Sequence, residues 1–203
     1  MSNDNDLTKS ITLDYENRLK AIFEDFHAHP ELSLAEFETA KKISTALKNH
    51  GFTVTENVGG TGVVALLKNG KGPLVMMRAD MDGLPLEEKT DLPYASKDKQ
   101  LDPVTGNVFP VMHACGHDVH ITALIGTAKQ MVDLKSEWSG TLMLIAQPAE
   151  ERVLGARNMM NDNLWERFGK PDYALAFHVS SMLPSGIVNV VDGSPYAGAD
   201  TVD

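Results

Sequence analysis

Cysteine occurs once in the 203 residues, at Cys115. A single thiol cannot close an internal disulfide, which leaves Cys115 three roles: an inert small residue, a nucleophile or a metal ligand. Positive charge is also short. Eighteen Lys and Arg face 28 Asp and Glu, for a formal net charge of -10, the wrong sign for a surface that tracks a phosphate backbone, and this argues against nucleic acid as a partner. No apolar run is long enough to span a bilayer, and the opening MSNDNDLTKS has no basic segment followed by an apolar stretch, so a cytoplasmic protein without a membrane partner is expected. Repeats and low-complexity tracts are absent. What remains, with 42% hydrophobic residues, is a globular chain long enough to bury a core in one large domain or two small ones.

Apolar residues recur at helical spacing from Ile11 to about His27 and from Leu34 to His50, through Leu19, Ile22, Phe23 and Phe26 and then Phe37, Ala40, Ile43 and Leu47. The pattern predicts two amphipathic helices, with Pro30 between them, Ser33 and Glu36 spaced to cap the second, and Gly51 to stop it. FTVTENV, GVVALLKNG and GPLVMMRAD then read as strands, the last short and apolar enough to be covered on both faces. A loop-rich stretch from Gly83 to Val111 leads to MHACGHDVH, residues 112 to 120, and a helix is expected over 118–134. GTLMLIAQPAEE reads as a buried strand ended by Pro148, Ala156 to Phe168 as a helix, DYALAFHV as another apolar run and SGIVNVVDGS as a last strand. Strands alternating with helices predict a three-layer α/β/α domain with a mostly parallel central sheet.

The MHACGHDVH stretch crowds three histidines, the sole cysteine and an aspartate into nine positions. Each of those groups demands a partner if buried, and Cys115 and His117 lie two apart in a glycine-containing loop that can aim both side chains at one point. Three apolar runs also finish in polar residues: Asp80 and Asp82 after VMMRADMD, Glu150 and Glu151 after LIAQPAEE, and His178 in ALAFHV. Strand ends of an open α/β sheet are where ligand groups collect. Taken singly, an aspartate at a strand end is a turn or a cap, an EE pair is solvated surface, and His178 is a satisfied core histidine. Together, a thiolate, imidazoles and carboxylates suit zinc, manganese, cobalt or nickel better than calcium or magnesium. A second reading makes Cys115 a nucleophile with a neighbouring histidine as base. That reading leaves the carboxylates unexplained, because negative charge raises a thiol's pKa and blunts it.

FHAHPELSLAEFETA, RADMDGLPLEE, MHACGHDVHITALIG, IAQPAEE and AFHV, in that order, resemble the motif series of the peptidase family M20 amidohydrolases, above all the branch of hippurate hydrolase and the N-acyl-amino-acid and auxin-conjugate hydrolases. The likeness runs from about Tyr15 to Asp203. It implies a hydrolase that uses two divalent metal ions to cleave the amide bond between an acyl group and an amino acid. Matched motif by motif, it makes Cys115, His117, Glu151 and His178 metal ligands, Glu150 the general base that takes the proton of the attacking water, and Asp82 a support beside the metals. A non-catalytic metal-binding or binding module on the same fold is the alternative class.

Members of that family are considerably longer. The resemblance implies that residues 1–192 are the N-terminal part of a metal-dependent catalytic domain, and that 193–203 are the hinge and first residues of an inserted satellite domain through which the full-length form pairs as a homodimer. On this reading the fold is truncated, a last metal-binding histidine lies beyond the chain, and the 203 residues alone are expected to be poorly active.

Overall fold

The computed structural model describes residues 3–190, 192 and 193; of the hinge and satellite segment expected over 193–203, all but Gly193 lies outside them. The chain begins with helix α1 (Asn3–Asp14), a π-helical turn (Tyr15–Leu19) and helix α2 (Lys20–Ala28) in unbroken succession. Leu19, Ile22 and Phe26 turn inward, as helical spacing requires. Helix α3 (Phe37–Asn49) buries Ala40, Ile43 and Leu47, and Gly51 follows it with φ +83, a left-handed conformation open to glycine. Ser33 does not cap this helix. Glu36 occupies the N-cap with no side-chain cap bond, and the Ser33 hydroxyl donates to Asp82 Oδ2 at 2.5 Å, because a buried carboxylate is a strong acceptor that only tertiary packing brings within reach.

The strands are β1 (Thr53–Val58), β2 (Gly62–Asn69), β3 (Leu74–Asp80), β4 (Lys99–Leu101), β5 (Val108–Pro110), β6 (Gly140–Gln147) and β7 (Tyr173–Ala176). Five of them form the central sheet in the order β1-β2-β6-β3-β7, and β4 pairs with β5 apart from it. β2 is antiparallel to β1 and β6, whereas β3 is parallel to β6 and β7. All strands of the sheet but β2 therefore point the same way, which is the mostly parallel arrangement expected.

Alternation along the strands builds the layers. Val63, Ala65 and Leu67 of β2 and Leu142, Leu144 and Ala146 of β6 pack with α2, α3 and helix α4 (His117–Asp133). Val64, Met143 and Ile145 face the other way, onto Met159 and Leu164 of helices α5 (Gly155–Asn161) and α6 (Leu164–Phe168). Helix α4 carries the chain from β3 to β6 over one face, and α5 and α6 carry it from β6 to β7 over the other. The C-terminal ends of β3, β6 and β7 consequently share one edge of the sheet, at the point where the connections change direction.

Three further local expectations change. The single helix over 156–168 is two helices broken at Asn163, which takes φ +57, a conformation asparagine accepts more readily than most residues. The loop-rich stretch 83–111 holds the β4/β5 pair, whose strands are only three residues each and too short to read from the sequence. SGIVNVVDGS forms no strand over residues 185–190. Ile187, Val188 and Val190 are instead exposed: β-branched residues favour a strand only when another strand pairs with them, and β7 pairs with β3 alone among the described residues.

Candidate metal centre

Four segments meet at the shared strand edge. β3 ends at Asp80 and runs on to Asp82; the turn after β6 carries Glu150 and Glu151; Cys115 and His117 stand at the entry of α4; and His178 follows β7 by two residues. Gly116 makes the approach to α4 possible. Its φ is +78, and a Cβ there would overlap the Val179 side chain, so a larger residue would push apart the two segments that bring Cys115 and His178 together.

His117 organises the cluster. Its ring is wholly buried, and Nδ1 donates to the Asp82 carbonyl oxygen at 2.8 Å. That bond leaves Nε2 facing three carboxylates: Asp80 Oδ2 at 3.5 Å, Glu150 Oε2 at 3.8 Å and Glu151 Oε1 at 3.8 Å. Neither His117 Nε2 nor Glu151 Oε1 has a hydrogen-bond partner, though both are buried. Cys115 Sγ lies 3.4 Å from His178 Nε2, and His178 Nδ1 donates to the Val179 carbonyl oxygen at 2.6 Å. The ligand atoms of Cys115, His117 and Glu151 lie within 4.8 Å of one another, as do those of Asp80, His117, His120 and His178.

These groups fit a divalent transition metal. Unpaired buried polar atoms are costly, and two of them here are the atoms that a metal takes from histidine and glutamate. The backbone bond at Nδ1 fixes the tautomer that offers Nε2, as the outer partners of ligating histidines do. The protonation equilibria agree. Burial lowers the His117 pKa, but the Asp82 carboxylate, with Oδ1 3.4 Å from Nδ1, and the charges of Asp80 and Glu151 outweigh it and raise the value above the usual one. Burial first, then the Glu151 and Glu150 charges, push the Cys115 thiol up to about 11. Burial likewise raises the Glu151 pKa, which the nearby His117 opposes. An excess of negative groups around a thiol and an imidazole is a site that a cation would balance, releasing protons as it binds.

The structure brings together every residue singled out from the sequence: Cys115, His117, Glu150, Glu151 and His178, with Asp82 alongside. His178 is exposed rather than a buried core histidine. Sequence reasoning missed His120, three residues after His117 on the same face of α4. His120 Nε2 accepts the Val179 backbone N–H at 3.0 Å, so Nδ1 carries the proton donated to Asp80 Oδ1 at 2.6 Å. With both nitrogens engaged, His120 is a clasp between β3 and the segment after β7. Burial raises the Asp80 pKa, but the His120 bond and the Arg78 charge overcome it and bring the value down to about 2.

A second buried histidine also went unread. His27 Nδ1 lies 2.6 Å from Asp118 Oδ2, and Nε2 lies 2.9 Å from Glu88 Oε1, which ties α2 to the start of α4 and to the long loop after β3. No short-range pattern signals it, because its partners stand 91 and 61 residues away.

Comparison with known proteins follows the same lines. Residues 76–193 match peptidase family M20/M25/M40. Hippurate hydrolase of Campylobacter jejuni is 42% identical over 167 residues, which are 82% of this chain and 40% of that protein. N-acetylcysteine deacetylase of Bacillus subtilis is 37% identical over 188 residues, 92% of this chain and 46% of that protein. Among solved structures, a dinuclear metal-binding peptidase of the M20 family from Bacillus subtilis superposes with a TM-score of 0.73 at 37% identity, covering 84% of this chain and 44% of its own. The chain thus spans under half the length of the curated relatives it matches.

Proposed function

The chain belongs to peptidase family M20/M25/M40, and from that premise we propose that the protein is a metal-dependent amidohydrolase that cleaves the amide bond of N-acyl-amino acids. One observation carries the reading: His117 Nε2 is buried and unpartnered, 3.8 Å from a carboxylate oxygen of each of the consecutive residues Glu150 and Glu151. Cys115, His117, Glu151 and His178 would hold the metal, one or two ions of manganese, zinc, cobalt or nickel. A divalent ion bound there would acidify a water molecule and polarise the amide carbonyl.

The chain's own groups divide the remaining work. Glu150, more open to solvent than Glu151, takes the proton of the attacking water and returns it to the departing nitrogen, so that the C–N bond breaks as the amine is protonated. Asp82 acts on two neighbours at once. Its carbonyl orients the His117 ring, and its Oδ2 accepts the Glu151 backbone N–H at 3.1 Å.

The substrate class draws support from the relatives: hippurate and N-acetylcysteine, in the names of two of them, are both amino acids acylated on nitrogen. A Cys115 nucleophile is the weaker reading, since burial and the adjoining glutamates hold the thiol up at about 11, the opposite of what a thiolate nucleophile needs. We extend the proposal to architecture: residues 1–192 serve as the N-terminal part of a catalytic domain, and the segment from 193 opens a satellite domain through which the whole protein dimerises. Residues 1–203 alone should turn over poorly, in keeping with the exposure of His178 and of β7.

Glu150→Gln in the whole protein tests the mechanism. Bound metal should be retained while hydrolysis falls by about 100-fold or more; an unchanged rate excludes Glu150 as the base. A screen over benzoyl, acetyl, indole-acetyl and succinyl amino acids identifies the acyl group, and failure on all four rejects the substrate class.

A further inference from the structure

The segment 31–36, ELSLAE, lies outside the ligand set yet grips the site at two points. Glu36 is fully buried (0% exposed) at the entry of α3. Its Oε1 accepts the Ala149 backbone N–H at 2.7 Å, from a residue 113 positions away, and its Oε2 accepts the Thr61 hydroxyl at 2.6 Å. Ala149 stands immediately before Glu150 and Glu151 and has φ +45, a left-handed conformation that a residue with a Cβ holds only when its surroundings enforce it. Ser33, three residues earlier, donates to Asp82 Oδ2 at 2.5 Å, and the same oxygen accepts the Glu151 N–H. The backbone amides at 149 and 151 are therefore fixed by two carboxylates, one of them Glu36 and the other anchored by Ser33. The turn is also closed in from its other side, since a Cβ on Gly155 would overlap the Pro148 carbonyl oxygen.

Burying a carboxylate is costly unless its oxygens are well bonded, and Glu36 spends its bonds on the turn after β6 rather than on its own helix. We propose that Glu36 and Ser33 are positioning residues of the hydrolytic site: they hold the Pro148 to Glu151 turn so that Glu151 faces the His117 imidazole and Glu150 stands beside it. This inference rests on Cys115, His117, Glu151 and His178 being metal ligands. It assigns to ELSLAE a role in shaping the site, exerted through the Ala149 amide and through Asp82, with neither side chain touching metal or substrate.

Zinc affinity, measured on the whole protein by competition with a chromophoric chelator, tests it alongside thermal melting of the metal-free form. Glu36→Ala should weaken zinc binding by about 10- to 100-fold, the range typical when the outer partner of a ligand is removed. Glu36→Gln should stay within about threefold of the parent, because its amide oxygen still accepts the Ala149 N–H and its amino group can donate to the Thr61 hydroxyl oxygen. Ser33→Ala should weaken zinc by about three- to tenfold with little change in melting.

Unaltered zinc affinity in Glu36→Ala, with or without a lower melting temperature, overturns the proposal, since a residue that merely packs the fold would behave that way. Equal losses in Glu36→Gln and Glu36→Ala overturn it too, pointing to the charge of Glu36 instead of its bonds. Should Glu36→Ala fail to fold, Ser33→Ala decides: unchanged affinity there rejects the inference. A parent protein that binds no zinc, manganese, cobalt or nickel would refute the metal reading itself, a result distinct from parent and variants binding alike.

Discussion

Cys115 Sγ and His178 Nε2 lie 3.4 Å apart although 63 residues separate them in the chain. The contact joins the loop before α4 to the segment after β7, and with His117 and Glu151 it gathers a thiol, two imidazoles and a carboxylate on one edge of the sheet. Protein purified without chelator should contain manganese, zinc, cobalt or nickel. The Cys115→Ser, His117→Ala double variant should lose most of it by elemental analysis, and equal metal content in the two proteins would refute the ligand assignment.

Removing metal should loosen this edge. Without a cation, Asp80, Asp82, Glu150 and Glu151 repel one another around an imidazole whose Nε2 has no partner, and bound metal adds its binding free energy to folding. Hydrogen exchange of the amides at 113–117 and 149–153 should accelerate on chelation, while those of β2 and β6 remain protected. Uniform acceleration across the sheet would mean that the metal supports the whole fold.

His120 separates clasp from ligand. Both of its ring nitrogens are already bonded, to Asp80 and to the Val179 amide. His120→Ala should lower stability by about 1–3 kcal/mol through the orphaned Asp80 oxygen and Val179 N–H, with metal stoichiometry unchanged. Loss of one equivalent of metal at unchanged melting temperature would instead make His120 a ligand.

His27 gives the fold a dependence on alkaline pH. Burial lowers its pKa, but the bonds to Glu88 and Asp118 outweigh burial and raise it above the usual 6.5. The charged pairing therefore contributes in full below pH 6.5, where the unfolded chain is protonated as well, and is lost as pH rises through the raised value of the folded state. The denaturant midpoint should fall from pH 6 toward mildly alkaline pH. His27→Gln should flatten that slope and be less stable at pH 6 by about 1–3 kcal/mol; a slope identical to the parent's would remove His27 as its source.

Leu144 lies on β6 at the centre of the sheet and is wholly buried among α2, α3 and α4. Leu144→Ala should lower unfolding free energy by about 2–5 kcal/mol in denaturant titrations. A loss below about 1 kcal/mol would show that the helical layer can collapse onto the cavity.

The sequence by itself determined the layers and the donor set. The helical spacing of Leu19, Ile22 and Phe26, the alternation of Val63, Val64 and Ala65, and the short apolar runs before Asp80 and Glu150 are local patterns that burial must satisfy, and they led to an α/β sheet with covered faces. The crowding of Cys115 and His117 in one glycine-containing loop was equally legible. Tertiary structure alone decided what surrounds those residues. Glu36 reaches Ala149, His120 reaches Val179, and His27 reaches both Glu88 and Asp118 across gaps of 113, 59, 61 and 91 residues, and no local period encodes such pairs. It also decided against a strand over 185–190, where β-branched residues have no partner strand among the described residues. A side chain's intrinsic preference is written in its own neighbourhood, but the hydrogen bonds of a buried polar group belong to whichever segments the fold sets beside it.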